Sequence, residues 1–404
     1  MTYPERFSNL PAYAWPRLRA LLDVHEAGGD TINMTIGEPR HPFPDFVPEV
    51  LAASTAEFAK YPTNEGAPEL LAAICGWVSR RYAVDMTPDR VMVLNGTREG
   101  LYNAAMALSP ESKNGKQPVV LMPNPFYQVY AIGALSVGAE PVMVPAIAET
   151  GHLPDFASLD PAVLDRTTLC YICSPANPQG AVAGRGYWRS LIGLAEKHDF
   201  TILADECYSE IYRDTPPMGA LEAVADTGCD PERVVVFHSL SKRSNLPGLR
   251  SGFVASGPGN IKEMRQLRAY AGAPLPMPLQ RVAERVWSDE DHVVANRALY
   301  REKFDIADAV FTGVNSYASP EAGFFLWLPV EDGEQAALKL WQETGVRVLP
   351  GAYLSRPPSS GDPVQTGGPD PSGDPGSGYI RVALVAPKEE TQRGLQLIRD
   401  CLYK

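Results

Sequence analysis

Ser239-Leu240-Ser241-Lys242-Arg243-Ser244-Asn245-Leu246-Pro247-Gly248-Leu249-Arg250 follows directly on the apolar run Arg233-Val234-Val235-Val236-Phe237. The run reads as a buried strand of a parallel sheet. Lys242 therefore stands just past a strand end, among small hydroxyl residues and eight positions before Arg250. A lysine so placed can be desolvated enough to act as a nucleophile. The hydroxyls and the arginine suit a phosphate. A lysine after a strand also serves as plain solvated surface, so the reading needs support from elsewhere in the chain.

That support comes from Phe200-Thr201-Ile202-Leu203-Ala204, a second short apolar run that ends in Asp205-Glu206-Cys207-Tyr208. A carboxylate at the end of a buried parallel strand lies where open α/β sheets bind ligands. A lysine that bonds an aldehyde beside a phosphate site describes pyridoxal phosphate, and Asp205 suits the anionic partner its ring nitrogen needs. Tyr208 is placed to reach the ring's phenolic oxygen. A helix N-cap is the bland role for Asp205, and the two roles are compatible.

Val91-Met92-Val93-Leu94 is a third strand, followed by Asn95-Gly96-Thr97-Arg98-Glu99-Gly100 and an apolar helical pattern through Ala107. A glycine turn into a helix start offers backbone N–H groups and a positive dipole end to an anion. No G-x-G-x-x-G fingerprint is present here, and a simple strand-to-helix turn is the alternative.

Together these pieces resemble the fold-type I pyridoxal-phosphate aminotransferases of class I and II. Further words occur in that family's order: Ile36-Gly37-Glu38-Pro39, Tyr61 to Gly66, Pro123 to Tyr127, Ser174 to Gly180 and Tyr379-Ile380-Arg381. The resemblance implies roles. Lys242 would carry the cofactor as a Schiff base and later shuttle the substrate proton. Asp205 would face the pyridinium nitrogen. Asn177 and Tyr208 would hold the phenolic oxygen, and Tyr127 would stack on the ring. Gly96, Thr97, Ser239, Ser241 and Arg250 would hold the phosphate, with Arg98 beside them. Tyr61 would reach the phosphate of a neighbouring subunit, which implies a homodimer. Arg381 would grip the substrate α-carboxylate as a bidentate fork, with Gly37 and Asn177 close to it. Asn177-Pro178 also reads as a turn and Tyr127 as core.

The words around Asn95, Pro123, Asp205 and Ser239 are most similar to the N-succinyldiaminopimelate aminotransferases of bacterial lysine and diaminopimelate biosynthesis. That implies glutamate as amino donor and N-succinyl-2-amino-6-oxopimelate as acceptor. Both carry a second carboxylate, for which Arg98 and Arg243 are candidates; Arg243 also suits the phosphate or a partner-chain acid. Aspartate- or aromatic-type transamination and a pyridoxal-phosphate C–S lyase remain open, since the same cofactor residues serve them all. A regulator with an aminotransferase-like sensor domain is disfavoured, because the match begins within the first few dozen residues.

Composition bounds these readings. The chain has 404 residues and is 45% hydrophobic, enough for two substantial cores. A formal charge of -12 argues against nucleic acid or a membrane surface as partner. No apolar run approaches the roughly 18–20 residues that span a bilayer, and the first residues do not read as a signal peptide; a cytoplasmic location is expected. Cys170 and Cys173 have C-x-x-C spacing inside a strand, where residues three apart face opposite ways. With no Cys/His cluster elsewhere, no metal is expected.

The alternation of strands and helices predicts an α/β chain: a large domain with a mainly parallel seven-stranded sheet in α/β/α layers, plus a smaller α+β domain. The expected divisions are 1–45, an N-terminal arm completing the small domain; 46–284, the cofactor-binding domain; and 285–404. Ser355 to Gly378 is rich in Pro, Gly, Ser and Asp. It reads either as a surface insert or as a lid on the substrate pocket.

Overall fold

The structure, a computed structural model, describes residues 7, 10, 13–357 and 373–403. Twelve strands occur among them. They are β1 Ile32–Asn33, β2 Val91–Leu94, β3 Val119–Asn124, β4 Glu140–Pro145, β5 Thr167–Cys173, β6 Thr201–Asp205, β7 Val234–Ser239, β8 Gly252–Ala255, β9 Phe325–Pro329, β10 Val346–Arg347, β11 Leu349–Pro350 and β12 Tyr379–Ala383. Seven of these form one sheet in the order β2-β8-β7-β6-β5-β3-β4. Only β8 runs against its neighbours; the pairs from β7 across to β4 are all parallel.

Period-two alternation builds the layers. In β7, Val234 and Val236 join one core with Trp77, Trp188 and Trp287, whereas Val235 and Phe237 join the core on the opposite face with Leu101 and Tyr130. Both faces are apolar because helices cover both, which is why these strands read as unbroken hydrophobic runs. Removing a fully buried ring such as Trp77 costs about 3–5 kcal/mol. Cys170 belongs to the first of these cores and Cys173 to a different cluster, and both are free thiols. The two therefore do not form a redox pair.

A second body follows, with the antiparallel sheet β11-β12-β9. Its closing helix, Lys388–Leu402, buries Thr391, Gly394, Leu395, Ile398 and Cys401. That spacing of three and four is one helical face. The N-terminal segment completes this body: β1 pairs in parallel with β10, and Met34 bonds to both Arg347 and Ala383. This lacing lays residues 35–37 beside β12, which matters for the site below.

No helix among the described residues is long and apolar enough to cross a membrane.

Candidate active site

The carboxyl ends of β2, β3, β6 and β7 converge on a cavity of about 300 Å³. Each parallel strand delivers one piece of the wall. Asp205 closes β6 and Ser239 closes β7. Ser239 then caps the short helix Leu240–Arg243, its Oγ accepting from the Ser241 N–H at 3.0 Å. That turn aims Lys242 into the cavity, where its Nζ donates to the Gly37 carbonyl. Burial disfavours the ammonium and brings the Lys242 pKa down to about 8; Cys207 and Glu38 oppose the shift, and Arg381 and Arg250 add to it. Near neutral pH such an amine reaches its nucleophilic form far more easily than an ordinary lysine.

Asp205 faces the same cavity and is buried. It accepts the Tyr130 hydroxyl at 2.8 Å and the Cys207 N–H at 3.3 Å. Burial nevertheless pushes its pKa up, against those bonds. Among the described residues it has no lysine or arginine partner within ion-pair distance. A buried carboxylate in that condition calls for a cation from outside the chain.

The third wall is the start of the helix Thr97–Leu108. Its N-cap is Gly96, with no capping side chain. Gly96 holds φ +82°, and a Cβ there would run into the Arg250 guanidinium. Arg250 is fixed by the carbonyls of Pro247 (2.9 Å) and Asn95 (3.3 Å). Uncapped N–H groups, Thr97, Ser239, Ser241 and Arg250 form a cradle with the chemistry of a phosphate site. Lysine, orphan carboxylate and cradle stand on three sides of one cavity. That donor set fits pyridoxal phosphate: an amine for the aldehyde, an anion for the ring nitrogen and donors for the phosphate.

A second cavity of about 670 Å³ adjoins the first and shares Arg98, Tyr127, Asn177 and Tyr208 with it. Arg381 lies at its inner end, 5% exposed. It donates to the Thr35 carbonyl at 2.8 Å and to Asn177 Oδ1 at 3.1 Å, and its central carbon lies 4.2 Å from the centre of the Phe325 ring. Burial lowers its pKa to about 10, with Tyr208 opposing. No carboxylate pairs with it among the described residues. A buried guanidinium without an anion is an unsatisfied charge, and a ligand carboxylate would satisfy it. Arg98 lines the outer wall of this cavity, its Nε donating to the Tyr127 hydroxyl at 2.8 Å.

The structure thus gathers Gly37, Gly96, Thr97, Arg98, Tyr127, Asn177, Asp205, Tyr208, Ser239, Ser241, Lys242, Arg250 and Arg381 at or beside the two cavities. Tyr61 lies apart from both, fully exposed at 101%. The expectation for Arg243 as a reader of substrate or phosphate is corrected. Its side chain is 2% exposed and points away from the cavity, donating to Glu290 (2.8 Å) and the Val286 carbonyl (3.1 Å) beside Trp287. The helical turn that aims Lys242 inward sends its neighbour into the core on the other side.

Sequence reasoning missed Tyr130, which bonds Asp205, and Cys207, whose Sγ lies 3.1 Å from Thr97 Oγ1. Tyr130 stands three residues after Tyr127, on the first turn of the helix Gln128–Ser136, a spacing that puts both rings on one face. Of the Ser355 to Gly378 stretch, residues 358–372 lie outside the described residues. Its two ends are held: Ser355 bonds Asp374, and the Arg356 backbone exchanges bonds of 2.8 and 3.1 Å with the Asn124 side chain.

Comparison with known proteins agrees with this geometry. The sequence model of the family "aminotransferase class I and II" matches residues 29–361. An LL-diaminopimelate aminotransferase of Dehalococcoides mccartyi is 31% identical over 98% of this chain and 97% of its own. An aminotransferase structure from Neisseria meningitidis superposes with a TM-score of 0.89 at 37% identity, covering 97% of both chains. The aminotransferase AspB structure from Helicobacter pylori does so with 0.86 at 32% identity, covering 99% of both.

Proposed function

The chain belongs to the class I and II aminotransferases, a pyridoxal-phosphate-dependent family, and from that premise we propose that its substrate is an amino acid of the diaminopimelate kind with at least one carboxylate besides its α-carboxylate, most like the N-succinylated form. The observation that carries the proposal is the pair of guanidiniums in the larger cavity. Arg381 and Arg98 are its only charged lining residues among those described; the rest are apolar, aromatic or neutral, including Ile36, Phe126 and Ile132. Two cations separated by a neutral wall suit the α-carboxylate and one distal carboxylate of a substrate whose far amine is acylated and therefore neutral. Free LL-diaminopimelate, the substrate in the name of the Dehalococcoides relative, brings a distal ammonium, and among the described residues no carboxylate lines this cavity to receive it.

When bound, pyridoxal phosphate supplies an aldehyde for the amino group and an electron-poor ring for the electrons left by the departing α-proton. The chain's own residues supply the rest. Arg381 orients the substrate by its α-carboxylate. Lys242, with its depressed pKa, would take that proton and return it at the cofactor's former aldehyde carbon. Asp205, held in place by the Tyr130 hydroxyl, would present its negative charge to the ring nitrogen. Glutamate is the proposed donor. The proposed assembly is a homodimer in which the fully exposed Tyr61 meets the neighbouring subunit's phosphate cradle.

The test is a titration of the holoenzyme's visible absorption band with N-succinyl-LL-diaminopimelate, LL-diaminopimelate and aspartate in parallel. Loss of the band at the lowest concentration of the succinylated compound is the expected result. Preference for free diaminopimelate moves the chain to its relatives' named substrate, and preference for aspartate to the aspartate type. A protein that forms no such band with added pyridoxal phosphate has no reacting lysine, and the reading fails.

A further inference from the structure

Behind Lys242, on the side away from the cavity, lies a chain of buried polar groups that the proposed reaction does not use. Lys303 is 2% exposed, Asn296 5% and Asn245 7%. Lys303 Nζ lies 2.7 Å from His41 Nε2, and His41 Nδ1 lies 2.9 Å from Asn296 Oδ1. Asn296 Nδ2 reaches the backbone carbonyls of Lys242 (3.5 Å) and Arg243 (3.4 Å). Asn245 Nδ2 bridges Asn296 Oδ1 (3.0 Å) and the Pro42 carbonyl (3.1 Å).

The direction of every bond follows from the two carbonyls. They only accept, so Asn296 must present its NH₂ to them and its oxygen to His41. His41 must then carry its proton on Nδ1, which leaves a lone pair on Nε2, and Lys303 donates to it. The aromatic rings repeat the path: His41 lies against Tyr300 (4.5 Å), Tyr300 stacks on Phe324 (5.5 Å), and Lys242 Nζ stands 5.3 Å over Phe324.

The same backbone segment holds the lysine from both ends. Gly37 takes its Nζ, while His41 and Pro42, four and five residues on, hold Asn296 and Asn245, and Asn296 bonds the peptide from which the side chain springs. Lys303 and Asn296 belong to one helix of the second body, Asp291–Val310. The chain therefore ties that helix, the 37–42 segment and the lysine turn into one unit.

We propose that His41, Asn296 and Lys303 are positioning residues for Lys242: a one-way hydrogen-bond chain, anchored on Lys303, sets the peptide on which the reacting amine hangs. The inference rests on the assignment of Lys242 above.

The test uses full-length His41→Leu, Asn296→Leu and His41→Gln. Glutamine can still donate to Asn296 and accept from Lys303, so it is the rescuing variant. Two readouts are taken. In cofactor-free protein, Lys242 acetylation by acetic anhydride is followed against pH by peptide mass spectrometry. In loaded enzyme, kcat and KM are measured. Both leucine variants are expected to move the Lys242 acetylation midpoint by ~1 pH unit toward an ordinary lysine, as a misplaced amine gains water. They are expected to lower kcat by ~10- to 100-fold with KM little changed; His41→Gln restores both. Leucine variants that keep the parent's midpoint and kcat and lose only thermal stability overturn the proposal. If Asn296→Leu does not fold, the His41 pair decides alone. A Lys242→Ala enzyme that still exchanges amino groups overturns the functional assignment instead, which separates the two failures.

Discussion

Arg381 is the residue on which substrate grip turns. Its guanidinium is already held by Thr35 and Asn177, and its central carbon sits over Phe325, so little freedom is lost when a carboxylate docks. Lysine in its place keeps the charge and loses the fork. A hydrogen bond to a charged group is worth about 1.5–3 kcal/mol, so Arg381→Lys should raise KM for every amino-acid substrate by ~10- to 100-fold. The holoenzyme's visible band should be unchanged, and steady-state kinetics with absorption spectra check both. Arg381 was readable from the sequence because Tyr379-Ile380-Arg381 stands in the family's order, and it lies within the strand Tyr379–Ala383. Arg243 was misread for a physical reason: successive residues on one helical turn point about 100° apart, and sequence proximity to Lys242 says nothing of shared direction. Asn296, Lys303 and His41 were silent, since their meeting spans 255 and 262 positions and rests on no local pattern.

At the scale of the element, the start of the helix Thr97–Leu108 is the feature most exposed to a single change. Gly96 combines a positive φ with a Cβ position that the Arg250 guanidinium already fills. Gly96→Ala would add backbone strain of about 1–3 kcal/mol and push Arg250 out of the cradle. A cofactor Kd weakened at least ~10-fold is expected, measured by fluorescence titration of the apoprotein. Elements of this kind were the most legible. All seven strands of the large sheet are apolar runs bounded by turn residues, and the chemistry follows the ends of β2, β3, β6 and β7. The short pair β1·β10 was not legible: two residues a side carry no periodicity, and only the neighbouring strands give them a place.

At the scale of the molecule, the half-buried His41 of the N-terminal segment meets Lys303 on the helix Asp291–Val310. Burial first, then the Lys303 charge, lowers the His41 pKa from 6.5 to about 4. An unfolded chain would protonate this ring as pH falls through 6.5, whereas the folded chain resists until about 4. The unfolded state thus binds more protons in that window, and stability must fall as pH drops through it. The loss due to His41 should be on the order of 1–2 kcal/mol after allowance for solvent screening of a half-buried ring. Urea midpoints across the window check it, and His41→Gln should flatten the slope.

The buried, unpaired guanidinium at the heart of the larger cavity has one more consequence. A cation held out of water does not choose its anion by name. Chloride, formate or acetate in the medium will occupy it whenever amino acid is scarce, because each relieves the same unsatisfied charge. The resting enzyme is therefore expected to bind small anions there, and its apparent KM should rise with the concentration of acetate or chloride, which steady-state kinetics in varied buffers check. Salt and buffer become silent competitors in every assay, and the small carboxylates around it a standing brake on turnover.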